Sequence, residues 1–337
     1  MTPDPAPRPI PRHAAAAALA LAGLLAGCAG PAGVAGSGPG TLVADAGSGE
    51  LGSGGREGRA SALPPDPVRV AGVPFVAQPD WQCGPASLAM VLAAAGREVP
   101  LERLVERTFV PGLHGSLQAE MLAAARGQRM LATELPPTLA ALRAELADGR
   151  PVVVLQNLGL PVLPRWHYAV LIGIDPRAGE VVLHSGDAPA MPMRLSVFER
   201  TWSRAGGWAF VVTPPDRIPA SADEQAALHA VAGLERVDAA ASSRAWDALV
   251  ARWPGSRVGH FGRGNRLLAD GDPRGAIGAY RMALAIDPGF ADGWNNLAHA
   301  LASAGRPEAA RLAADRAVAI GGRRADAYRE TQASLGR

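Results

Sequence analysis

One of the chain's two cysteines, Cys83, lies in the string Gln78-Pro79-Asp80-Trp81-Gln82-Cys83-Gly84-Pro85-Ala86-Ser87. Pro85 suits a first helical turn, where its missing N–H leaves no bond unmade, so Cys83 is expected to open a helix. There the positive end of the helix dipole favours a thiolate. Gly84 keeps bulk away from the sulfur, and the backbone N–H groups of the turn can face a developing oxyanion. This is the equipment of nucleophilic acyl transfer, which also needs a base to hand the proton to a leaving group. Of seven histidines, His13 lies in an N-terminal signal and His229, His260 and His299 lie in a helical C-terminal region, leaving His114, His167 and His184. His167 begins the run His-Tyr-Ala-Val-Leu-Ile-Gly-Ile-Asp, the start of a buried strand from whose end its ring can project into a cleft. His114 sits in a Pro-Gly-Leu-His-Gly loop and His184 ends another strand.

The elements that must carry these residues follow from periodicity. Leu88, Val91, Leu92 and Ala95 form a helical stripe that Gly96 closes. Ser116 can cap a helix running to about Arg126, and a further helix spans about Pro137 to Asp148. The period then changes to short β-branched runs at Pro151–Gln156, Tyr168–Ile174, Glu180–His184 and Trp208–Thr213. Helices first and strands after predict an α+β domain with an antiparallel sheet, closed by Pro214-Pro215. Beyond about Ala220 the sequence is helical with a period of 34 residues, which relates Gly271 to Gly305, Ala276 to Ala310, Ala283 to Ala317 and Pro254 to Pro288. Trp294 and Leu297 complete a resemblance to the tetratricopeptide repeat, with 223–254 as a degenerate first unit. About three units are needed to bury a continuous face.

The Gln…Cys-Gly-Pro-Ala-Ser element followed by His-Tyr-Ala-Val-Leu-Ile-Gly-Ile-Asp resembles papain-like cysteine peptidases related to the bacteriocin-processing double-glycine peptidases (peptidase C39-like), over roughly Val68 to Pro215. The resemblance implies an α+β papain-like domain in which Cys83 is the nucleophile, His167 the general base and acid, and Gln78 a side-chain donor to the oxyanion. The family's third residue, an aspartate or asparagine that orients the histidine, should end the next strand. Here that stretch reads Val182-Leu183-His184-Ser185-Gly186-Asp187, without the expected acid-proline pair. Asp187 is taken for that role, with Ser185 and Asp175 as alternatives. Trp81, Trp166, Trp202 and Trp208 are candidates for a substrate groove or for core packing.

Arg8, Arg12 and His13 precede an apolar run from Ala14 to Leu25, too short for a bilayer core that needs ~20 residues. The run ends in Leu25-Ala26-Gly27-Cys28, which resembles a bacterial lipobox and implies lipidation at Cys28. The expected organisation is a signal over 1–28, a Gly/Ser/Pro tether over 29–66, the peptidase-like domain over 67–215 and the repeat domain over 220–337. An exported, lipid-anchored protein, at the outer membrane facing the periplasm, is the corresponding location. Net charge is +2, so no basic field exists for nucleic acid. The absence of lysine excludes a Walker A nucleotide loop. One cysteine in the mature body and no histidine pair at ligand spacing argue against a metal site, and no cofactor is expected. The expected partners are a peptide or protein substrate, a protein held by the helical repeats and the membrane. Hydrolysis of peptide bonds through a Cys83 thioester is the favoured reading. The alternatives are an inactive peptide-binding scaffold and another thiol acyl-transfer enzyme acting on cell-wall peptides.

Overall fold

A computed structural model describes residues 63–78 and 81–336, so the expected signal with Cys28, and all but the last residues of the tether, lie outside the described residues. The first helix, α1 (Cys83–Ala94), is buried on every side from Gly84 to Leu92, more than the single stripe read from sequence. A helix apolar all round must sit inside a core. It packs against α2 (Leu101–Thr108) and α3 (Gln118–Gly127). Between them, β2 (Phe109–Val110) and β3 (Gly115–Ser116) form a small hairpin closed by a single 3₁₀ turn. Ser116 is therefore strand rather than cap, and Leu117 takes the N-cap position of α3 with no side-chain bond. By contrast α4 (Leu139–Ala147) is capped by Thr138, whose hydroxyl accepts from Ala141 N–H at 3.1 Å.

The main sheet has seven strands, and all its pairings are antiparallel. These are β1 (Val68–Arg69), β4 (Leu131–Glu134), β5 (Val152–Asn157), β6 (Trp166–Asp175), β7 (Glu180–Ser185), β8 (Ala188–Arg194) and β9 (Ala209–Thr213). Their order is β4-β9-β5-β6-β7-β8, with β1 pairing the far end of β6. Val153, Leu155, Tyr168, Val170, Ile172, Phe210 and Val212 join α1 and α3 in one core cluster. Each fully buried Leu, Val or Phe there contributes about 1.5–3 kcal/mol. The helix α5 (Leu195–Ser203) runs between β8 and β9 and packs on β5.

Among the described residues seven helices follow: α6 (Glu224–Glu235), α7 (Ala239–Arg252), α8 (Arg257–Ala269), α9 (Pro273–Ile286), α10 (Ala291–Ser303), α11 (Pro307–Ile320) and α12 (Ala325–Leu335). They pack in succession as hairpins. The repeat marks have a structural meaning: Gly271 and Gly305 hold φ of +81° and +71° in equivalent turns, and Pro273 and Pro307 open the helices that follow. The run from β9 to α6 is tied down. Ser221 donates to Glu145 Oε1 from its N–H at 2.7 Å and from its hydroxyl at 2.6 Å. Glu145 is fully buried on α4, and its other oxygen accepts from Arg150 Nε at 2.6 Å. Helix α6 lies against β4 and α3, and Arg129 pairs with Asp238 at 2.9 Å.

Candidate active site

Cys83 is the first residue of α1, after Gln82, which makes no side-chain cap. The first N–H groups of a helix have no intrahelical acceptor, and the backbone amides of Tyr168, Gly84 and Cys83 itself act to lower the thiol pKa. Burial nevertheless dominates these amides and raises the thiol above its ordinary pKa. The thiolate expected at a helix start is therefore not the resting form. Gly84 is required by close approach, since a Cβ there would come within 2.6 Å of Ser116 Oγ.

His167 is the second residue of β6, level with Gln156 of β5. Its Nε2 lies 2.8 Å from Ser185 Oγ. The register explains this pair. Val170 is opposite His184, and one further step sets Ser185 beside Ala169, two residues from His167 on the same face. Continued three steps, the same register would bring Asp187 level with His167, but the ladder stops first. Gly186, at φ +58°, opens a two-residue turn that pairs Ser185 with Ala188 and starts β8. Asp187 is thereby left exposed at the hairpin tip and is not brought to His167. Asp175 ends β6 eight residues from His167, where its carboxylate accepts from the N–H groups of Arg177 and Ala178. With no carboxylate at its Nε2, His167 titrates below the ordinary imidazole range, first through burial and then through the neighbouring Arg165 charge.

Gln78 is buried, 8% exposed, and joins the two halves of the site. Its Oε1 accepts from Gly186 N–H at 2.8 Å, its own N–H donates to Gly186 O at 3.2 Å, and its Nε2 donates to Ser87 Oγ of α1 at 3.3 Å. The amide thus spans from the nucleophile's helix to the turn that carries Ser185. Cys83, His167 and Gln78 line one cleft of about 1030 Å³.

The other two histidines play different parts. His184 accepts from Ala190 N–H through Nδ1 at 2.9 Å and donates from Nε2 to Val73 O at 3.2 Å. Both ring nitrogens are used in tying β7 to β8 and to the segment before the site. His114 lines the cleft with φ +46°, its ring 5.2 Å from that of Trp81. Sequence reading missed Tyr168 and Ser116, whose roles depend on packing: Tyr168 Oη donates to Ser116 O at 3.1 Å and so joins β6 to the β2–β3 hairpin. Trp166 and Trp81 line the cleft. Trp202 is core, and its Nε1 bonds Trp208 O at 3.0 Å. Among the described residues no group of three or more His, Cys, Asp or Glu side chains converges in the manner of metal ligands.

Residues 70–209 match the model of the Peptidase_C39 like family, and residues 267–335 match a tetratricopeptide repeat model. Among solved structures, the chain is similar to a double glycine motif protease from an AMS/PCAT transporter, solved with its leader peptide. That match has 25% identity over 43% of this chain and 96% of that one, with a TM-score of 0.33. A C39-like peptidase from Bacillus anthracis is 21% identical over 44% of this chain and 98% of its own, with a TM-score of 0.38. The Sgt2 tetratricopeptide domain from Aspergillus fumigatus is 16% identical over 34% of this chain and 77% of its own, with a TM-score of 0.32. No curated protein matches the chain.

Proposed function

We propose that this chain, with a Peptidase_C39 like domain followed by tetratricopeptide repeats, is a cysteine peptidase that hydrolyses peptide bonds through a Cys83 thioester. The observation that carries the reading is a thiol at a helix start sharing one cleft with a histidine whose Nε2 is held by Ser185. With Nε2 engaged, Nδ1 is the nitrogen left to take the thiol proton as the sulfur attacks the carbonyl. The oxyanion would accept from the first amides of α1 and from the second N–H of the Gln78 amide. His167 then gives the proton to the leaving amine, and water, deprotonated by the same ring, opens the thioester. Cys83→Ala and His167→Ala in the full chain are expected to lower kcat by on the order of 10⁴–10⁶ on a cleaved peptide. Unchanged circular dichroism would accompany the loss. Wild-type turnover in Cys83→Ala would end this reading.

A second reading, a peptide-binding scaffold without turnover, is favoured by the hydroxyl in place of a carboxylate and by the raised thiol. Alkylation by iodoacetamide followed by peptide mapping separates the two. If His167 takes the thiol proton, His167→Ala slows alkylation of Cys83 near neutral pH; in a scaffold without turnover the parent and the variant react equally. A third reading, thiol-dependent acyl transfer on cell-wall peptides, uses the same residues and differs only in product.

The string Leu25-Ala26-Gly27-Cys28 supports export and a lipid anchor at the outer membrane, facing the periplasm. In that case Cys28→Ser moves the protein from the membrane fraction to the soluble one. Retention after a carbonate wash would count against the anchor. The repeats are suited to holding a protein partner.

A further inference from the structure

Among the described residues twelve large apolar side chains are exposed; Trp81, Leu113, Leu117 and Trp166 line the cleft of Cys83, and Leu158, Leu160, Val162 and Leu163 lie on the segment that leads into its lining residues Pro164, Arg165 and Trp166. A folded monomer scatters such residues singly, and a concentration marks a binding surface. Two walls carry them. One wall holds Trp81, Leu113 and Leu117, which are 62%, 60% and 47% exposed. The other is the hairpin between β5 and β6. It bears Leu160 and Leu163, 63% and 74% exposed, and returns through Pro164 and Arg165 to Trp166, 56% exposed and adjacent to His167.

Both walls are held in place rather than left loose. The hairpin is fixed by Asn157, whose Oδ1 accepts from Gly159 N–H at 2.9 Å and from Arg165 N–H at 3.0 Å. The Leu158 N–H bond to Arg165 O and the Leu160–Leu163 bridge add to it. On the first wall Trp81 and His114 both hold left-handed backbone, φ +68° and +46°, and pack ring against ring. Non-glycine residues adopt that region at a cost, and such strain concentrates at ligand sites.

Resting on the hydrolase reading of the cleft, we propose that its substrate is an extended polypeptide with bulky apolar side chains on both sides of the scissile bond. The occupant is a peptide and not a lipid surface. Trp81, Leu113, Leu117 and Trp166 line the inside of a concave cleft that also holds the nucleophile, where a flat surface cannot follow. The volume of about 1030 Å³ exceeds what a single side chain fills, so residues on each side of the attacked carbonyl are enclosed together.

The test uses two labelled dodecapeptides of equal charge. One carries Leu or Phe at three positions on each side of its centre, and the other carries Ser at those positions. Affinity is read by fluorescence anisotropy on full-chain Cys83→Ala, which binds without turnover. The apolar peptide is expected to bind far more tightly than the Ser peptide. Leu113→Ser and Leu163→Ser, both at exposed positions, should each weaken it roughly tenfold, as loss of one buried leucine contact implies. Equal affinity for the two peptides, no binding of either, or an unchanged affinity in the Leu113→Ser, Leu163→Ser double variant overturns the proposal. So does a double variant that loses only its flotation with phosphatidylglycerol vesicles, since that assigns the walls to lipid. The two proposals fail separately. Selective binding of the apolar peptide without cleavage by the wild type removes the hydrolase reading alone. Equal cleavage of both peptides removes the apolar preference alone.

Discussion

His167 meets a hydroxyl, 2.8 Å from its Nε2, where a carboxylate would stabilise the imidazolium. Burial lowers the imidazole pKa and raises that of the Cys83 thiol, so at neutral pH the pair rests as thiol and neutral imidazole. A pair of this order is competent above the depressed histidine pKa and below the raised cysteine pKa, two macroscopic values that belong to the couple. The expected kcat/KM profile is therefore a broad plateau through neutral pH, with an acid limb below the ordinary imidazole range. Ser185 acts here as a positioning residue. In Ser185→Ala the loss of one neutral hydrogen bond, about 0.5–1.5 kcal/mol, lowers kcat by roughly 2- to 12-fold and leaves KM unchanged. Ser185→Asp places a negative charge beside the ring, which favours the imidazolium, so both limbs of the profile move to higher pH. Limbs that stay fixed in Ser185→Asp, measured from kcat/KM between pH 4 and 10, would leave Ser185 a purely structural role.

At the scale of elements, the parts of the site set by local pattern were legible in the sequence. The Cys-Gly-Pro start of α1 and the apolar run of β6 put Cys83 and His167 on the elements expected, because a helix start and a buried strand each leave a local signature. The partner of His167 was not legible, because it depends on where β7 stops. Three residues decide that: Ser185 pairs with Ala188 across a Gly186-Asp187 turn, which carries the nearest carboxylate out to solvent. The strand that follows was unreadable for a related reason. Pro189 and Pro192 argue against a central strand, but β8 is the sheet edge, where a missing N–H is tolerated. Short β4, with four residues, offered too little alternation to separate it from a loop. The repeat region is the opposite case. Its period is fixed by left-handed glycines at 271 and 305, a backbone need that sequence states directly.

At the scale of the molecule, the join between sheet and repeats is an anchored segment. Glu145 is fully buried and satisfies three donors, the Ser221 N–H and hydroxyl and Arg150 Nε. Arg150 is itself only 17% exposed, so removing the carboxylate leaves a poorly solvated cation and frees the start of the repeat region. Breaking a buried pair costs about 3–5 kcal/mol, and the lower end applies because Arg150 keeps Asp148 as a second partner. Glu145→Ala is therefore expected to lose about 3 kcal/mol in urea unfolding, while Glu145→Gln, which can still accept from Ser221, loses less. The same change should alter how the molecule comes apart. In the parent, Arg217 sits in a run held by the Thr213 hydroxyl bond to Arg217 O at 2.6 Å and by Arg252 Nη2 bonded to Ala220 O at 2.9 Å. Trypsin should therefore cut there slowly, and sheet and repeats should unfold in one transition. With Glu145 gone, local opening of residues 214–223 becomes easier than global unfolding, so cleavage after Arg217 accelerates and the urea transition broadens or splits. Equal cleavage rates and superimposable unfolding curves for parent and Glu145→Ala would show that the repeats are held to the sheet without the Glu145 anchor, through the packing of α6 on β4 and α3 and the Arg129–Asp238 pair.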